Sequence, residues 1–350
     1  MTLPSYISGE RIQGRSDDSE LTATPQTSWK ELDRVTLGSS ADEMDTGTFA
    51  VKDNLMLLIH VIPESGTVST GVRFNDVSDA EYSYRRSDNG GSDGTEGGLT
   101  YDALQNASSP NDIFIVTNIR NTLNREKLWT IDLMNRGTAG SGNQVNRREG
   151  VGKWDNTAQI NRVKVYNTDS GSYAAGSEIV VLGCDDDEAD SGTNFWQELY
   201  TSNATGDYDT GVGGIAAKRY LMMDMILESG GDTGLIFNGD SGGNYAHRQA
   251  HNGAADYAGY LNQSGAWLNS GQTMTSGEFG MYKVYIVNVS AREKLIISHA
   301  VINEVSGVNE PERAEVNSKW VNTSAQITDI EGASGGGTLV NHNVRIWGGN

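Results

Sequence analysis

Four stretches of this chain carry residues whose types and spacing could do chemistry. Gly-Asp-Ser-Gly-Gly at 239–243 is the setting of a triad serine, which needs a general-base His and an orienting Asp. The His upstream of Ser241 is His60, inside the apolar run LLIHVI. Asp-Thr-Gly occurs at 45–47, 209–211 and 232–234; two such loops sharing a proton can hydrolyse peptides when apolar walls raise one carboxylate. Here the approaching flanks are polar, so turn chemistry accounts for all three. His247 and His251 have the i, i+4 spacing of zinc ligands on a helix, but the segment is short and runs into an Asn-Gly turn. The acidic runs DDDEADSGTN (185–194) and SDNGGSDGTEGG (87–98) offer carboxylates for calcium without the alternating spacing of known calcium loops. They read as a solvated linker and a loop, with calcium as the sharper alternative. The expectation is therefore no catalytic residue, no cofactor-binding residue and no metal ligand.

The elements that carry these stretches are duplicated. GKWDNTAQI at 152–160 returns as SKWVNTSAQI at 318–327, and Trp154 and Trp320 lie 166 residues apart. Around that anchor SWKEL (28–32) answers FWQEL (195–199), RFND (73–76) answers IFNG (236–239), and REKL recurs at 125–128 and 292–295. SEIVVLG (177–183) answers HNVRIWG (342–348). The period is too long for a solenoid or a propeller blade, so each copy should own a core. The reading is an N-terminal arm (1–27), a first repeat (28–184), an acidic linker (185–194) and a second repeat (195–350). GDSGG then corresponds to NDVSDAE, which marks it as a tolerant turn, and His247 and His251 correspond to Tyr84 and Asp88.

Composition narrows the classes. The 26 Lys and Arg against 46 Asp and Glu give a formal charge of −20, and a phosphate-tracking surface needs clustered cations, so nucleic acid is not an expected partner. The single Cys184 excludes an intrachain disulfide framework and a Cys-based zinc site. The apolar run at 55–63 is too short for a membrane helix, and the first twenty residues lack the basic-then-apolar order of a secretion signal. A soluble chain with no membrane partner is expected.

The 43 Gly against 5 Pro, with many Asn, Ser, Thr and Asp, are the vocabulary of short strands and tight turns. RVKVYN alternates as a half-buried strand does, whereas LMLLIHVI and IFIVTNI are apolar at both parities and should be central strands covered on both faces. Roughly eight strands per copy predict an all-β chain of two tandem, jelly-roll-like β-sandwiches. The repeated Trp motif is read as a corner of that fold. Trp154 and Trp320 close a sandwich end, Asn156, Thr157, Asn322 and Thr323 bond local backbone, and Ile160 and Ile327 begin the next buried strand.

The motif also carries a resemblance. Trp154, Asn156, Thr157 and Ile160, followed by Ala175, Gly176, Ser177, Ile179, Leu182 and Gly183, resemble the C-terminal end of jelly-roll virion proteins of tailed phages and marine viruses. The second copy keeps Trp320, Asn322, Thr323, Ile327, Val344 and Gly348 but has LVNH in place of AAGS. The resemblance implies a non-enzymatic structural protein at the particle surface, a capsid decoration or a tail component, which assembles with itself as a homo-oligomer and with other virion proteins. The competing readings are a carbohydrate-binding module or adhesin for a host-surface glycan, using the aromatic residues of YSYRRSDNGG and ADYAGYLNQSGAW, and a double jelly-roll major capsid protein. In the arm, Tyr6, Ile7 and Ile12 are apolar anchors that a merely solubilising tail would not need, so they are the expected assembly contacts.

Overall fold

A computed structural model describes residues 29–105, 111–186, 194–270, 274, 277–303, 310–335 and 339–350. The arm with Tyr6, Ile7 and Ile12, and most of the acidic linker, lie outside these residues. Every regular element described is a strand. The first repeat builds an eight-stranded antiparallel sheet in the spatial order Lys30–Thr36, Glu178–Cys184, Asn54–Val61, Ile113–Arg120, Lys127–Asn135, Asn146–Trp154, Tyr82–Asp88, Gly94–Leu99. A four-stranded sheet (Glu43–Asp45, Val163–Asn167, Thr70–Phe74, Asp102–Ala103) closes one face of it. The chain alternates between the layers and ends beside its own first strand, the jelly-roll-like device that leaves few bare edges.

The second repeat repeats the plan. Its eight strands run Gln197–Thr205, Leu339–Gly349, Tyr220–Ser229, Phe279–Val287, Lys294–Ile302, Glu312–Trp320, Tyr245–His251, Tyr257–Gln263, over a smaller sheet of Ala266–Trp267, Thr233–Phe237 and Ile330–Ser334. The chain is thus all-β, two tandem β-sandwiches. Short strands of two to five residues, which hydrophobic periodicity is too brief to show, raise the number in each repeat above eight.

Each sandwich owns a core. Leu55, Leu57, Ile59, Ile113, Ile115 and Trp154 pack in the first, and Leu221, Met223, Met225, Val284, Ile286 and Trp320 in the second. A third core joins them. Met56, Leu58, Phe114, Val116, Val180 and Leu182, on the outer face of the first large sheet, pack with Phe195, Trp196, Tyr220, Met222, Tyr285 and Trp347 of the second repeat. The large sheets therefore stand back to back, which is why Asn54–Val61 and Ile113–Arg120 are apolar at both parities. Burying a large apolar side chain stabilises by about 1.5–3 kcal/mol, so the seam is a strong structural joint.

Candidate functional site

The repeated Trp motif builds the same corner twice. Trp154 ends its strand wholly buried, donates from Nε1 to Glu81 at 3.0 Å, and sets its ring 6.1 Å from Tyr82 and 5.8 Å from Phe74. Trp320, equally buried, donates to Asp240 at 2.8 Å and lies 6.3 Å from Tyr245 and 5.7 Å from Phe237. The Tyr82 hydroxyl accepts from the Phe74 amide and the Tyr245 hydroxyl from the Phe237 amide. Asn156 and Asn322 each accept from the amide two residues on, at 2.9 and 2.8 Å. Thr157 and Thr323 are exposed, and it is the Thr157 carbonyl, not the hydroxyl, that is seen bonded, to the Asn124 amide. Ile160 and Ile327 are buried but precede their strands by three residues instead of beginning them.

Further residues complete the corner. Asn121 clamps Ile160 through both its amide and its carbonyl, at 2.7 and 3.1 Å, and Asn288 does the same to Ile327 at the same distances. Asn75 and Asn238, at φ of 53° and 52°, hold the adjacent turn in a left-handed conformation that Asn tolerates. Lys127 and Lys294 donate to the carbonyls of Asn156 and Asn322. Burial lowers the Lys294 ammonium to about 8. All three pairs sit at matched positions of the two copies, so the repeat alignment was the signal that could have found them.

The motifs that suggested chemistry are drawn into architecture. In GDSGG the working residue is Asp240, which accepts from Trp320, Asn244 and the Gly242 amide; Ser241 is exposed. Despite the opposing cost of burial, those donors hold its carboxyl below the ordinary range. His60 lies elsewhere, buried in the seam beside Arg219 and Asp112. Asp45 and Asp209 of the Asp-Thr-Gly stretches cap the following Gly amides at 3.0 and 2.7 Å. His247 and His251 lie on a strand, where four residues span about 13 Å, so the helical ligand spacing does not arise. Among the described acidic residues, Asp88 pairs with Arg148, Asp93 with Arg85, Asp185 with Lys52 and Asp186 with Arg120. Asp185 and Asp186 are thereby anchored, although the linker was expected to be solvated throughout.

Two surfaces remain as candidate sites. An open cavity of about 440 Å³ at the seam is lined by Arg85, Asp93, Asp132, Glu149, Val151 and His299 among others. His299 and Asp132 face each other across the repeats at 3.0 Å. Burial opposes the imidazolium, but Asp132 and the nearby Glu315 and Glu149 outweigh it and raise His299. The second surface is an aromatic ladder: the His247 ring stacks on Tyr260 at 4.3 Å, which meets Tyr257 edge-on at 4.7 Å, and Tyr257 is 57% exposed. Of the other aromatic residues considered for a sugar platform, Tyr82 packs in the first core, Tyr84 is buried with its hydroxyl donating to Glu96 and accepting from Arg86, and Trp267 is half-buried.

No protein-family model matches the chain, and no curated protein does. Among solved structures, domains LG4–5 of the mouse laminin α1 chain are similar over 98% of this chain and 90% of their own, at 11% identity and a TM-score of 0.18. The LG1–3 region of the laminin α2 chain is similar over 89% and 64%, at 7% identity and a TM-score of 0.21. An acyl-CoA hydrolase from Agrobacterium tumefaciens follows at 9% identity, over 63% and 77%, with a TM-score of 0.15. At these scores the likenesses decide nothing about this chain.

Proposed function

We propose that this chain is a non-enzymatic structural protein of a virus particle, a capsid decoration or tail component that attaches through its N-terminal arm. The observation that supports the reading is the back-to-back seam. Two sandwiches fused through a common core form one stiff body that presents loops on its outer ends, a form suited to ordered assembly. Asp240, Asp45 and Asp209 of the suggestive motifs are engaged in corners and turns, and the resemblance of the Trp motif to virion proteins points the same way. Mass spectrometry and antibody labelling of purified particles should place the chain on their surface. Deleting residues 1–20 should leave a folded protein that no longer attaches. Particles that lack the chain would overturn the reading, and normal attachment of the truncated form would move the anchor to the sandwiches.

A second reading, glycan binding, has one specific observation in its favour, the exposed Tyr257 at the end of the His247–Tyr260 ladder. A glycan array with the wild-type chain and Tyr257→Ala separates the two. Binding that Tyr257→Ala abolishes would favour the adhesin.

A further inference from the structure

The two large sheets are equivalent strand for strand, yet one row of their outer faces is treated differently in the two copies. In the first repeat Glu178, His60, Phe114, Met134 and Arg147 lie side by side across five strands. None is more than 5% exposed, because the second repeat covers them. The same row of the second repeat is Asn343, Ile226, Met281, Val301 and Arg313. There Ile226 is 47%, Met281 48% and Val301 46% exposed, and Phe279, two residues along from Met281, is 46% exposed. Three adjacent strands thus present apolar side chains to water at the position that the first repeat uses as a docking face.

We propose that this row is a self-association surface, on which a second copy of the chain seats the same row of its own second repeat about a twofold axis. Three observations support a second copy as occupant. The row's counterpart in the first repeat is already covered by the second repeat, so this outer face is compatible with protein packing. The patch lies beside the shared core, one charged row away, that row including Asp224, Lys283 and His299. The seam-forming row, Tyr220, Val287 and Leu295, is buried against the first repeat and cannot serve a second molecule, which leaves the exposed row to pair with itself. A twofold arrangement is the commonest closed solution for a self-complementary patch. The Asp224–Lys283 pair at 3.1 Å and the Arg313–Glu315 pair at 3.3 Å form its polar rim. A strip roughly 20 Å by 15 Å buries only about 600 Å² over two copies, less than a standard specific interface, so the association is expected to be weak.

The inference is independent of where the protein works, since the purified full chain suffices to test it. Sedimentation across a micromolar concentration series should show a monomer–dimer equilibrium for the wild type. Met281→Lys should weaken the dimer at least tenfold with an unchanged melting temperature, as should Ile226→Lys. Deletion of residues 1–20 and Val151→Lys, on the exposed face of the first repeat, should leave it intact. A wild type that stays monomeric throughout, or a dimer that survives Met281→Lys, overturns the proposal. A dimer lost on Val151→Lys but kept with Met281→Lys also overturns it, in favour of head-to-tail contact with the first repeat.

Discussion

The Glu178 carboxylate of the first repeat accepts a 2.9 Å hydrogen bond from the Tyr220 hydroxyl of the second, with 2% and 1% of the two residues exposed. Arg34 from the first repeat and Arg219 from the second pair with the same carboxylate, at 2.9 and 2.8 Å. Removing the carboxylate takes a shared acceptor from Tyr220 and both arginines, although Arg34 keeps Glu31 and Arg219 keeps the Gly176 carbonyl. Glu178→Ala should therefore destabilise the protein by about 2–3 kcal/mol, whereas Tyr220→Phe, which keeps the ring, should cost about 1 kcal/mol. Denaturant unfolding of both variants checks the order; equal costs would show that the carboxylate is not the centre of the seam.

Trp154→Ala and Trp320→Ala should each cost about 3–5 kcal/mol, by loss of a fully buried ring and a cavity that its neighbours cannot fill. Similar surroundings in the two repeats predict similar costs. A large difference, seen in calorimetry, would mean that one corner relaxes and the other does not.

Within GDSGG the two polar residues should behave oppositely. Asp240→Ala removes the acceptor for Trp320, Asn244 and Gly242 and should destabilise by about 1–3 kcal/mol, whereas Ser241→Ala should leave the melting temperature unchanged. Peptidase and esterase assays should not distinguish Ser241→Ala from wild type. Loss of such an activity in that variant would make the serine a nucleophile.

The acid limb of stability should report His247. Burial first, and then the neighbouring His251, bring the folded His247 down to about 3. The unfolded chain accepts a proton there near 6.5 while the folded chain does not, so stability held above pH 6.5 is lost as pH falls toward 3, by about 1.4 kcal/mol per unit. His247→Phe should flatten this limb in melts recorded between about pH 7 and pH 4. His299 has the opposite sign: its pKa is raised, so its contribution is complete below 6.5 and is lost as pH rises through the folded value. An unchanged acid limb in His247→Phe would assign the slope to other groups, His60 first.

The sequence alone was enough for the strand class, the duplication and the corner. These depend on local rules: alternation sets the strand faces, Asn and Gly set the turns, and a repeated Trp beside a repeated Asn marks one environment built twice. Asn121, Asn288, Lys127 and Lys294 were within reach of the same comparison, although their partners lie up to 70 residues away, as with Asn288 and the Lys218 carbonyl. The seam was not. Apolar residues at both parities of LMLLIHVI say that both faces are covered, but a side chain's polarity does not name what covers it. Phe114 and Met281 illustrate the limit: they occupy equivalent positions on equivalent strands and are both apolar, yet one is 1% exposed and the other 48%. Which of them meets the other repeat depends on how two twisted sheets cross, a rigid-body relation fixed by packing between residues distant in the chain, and only the tertiary structure decides it.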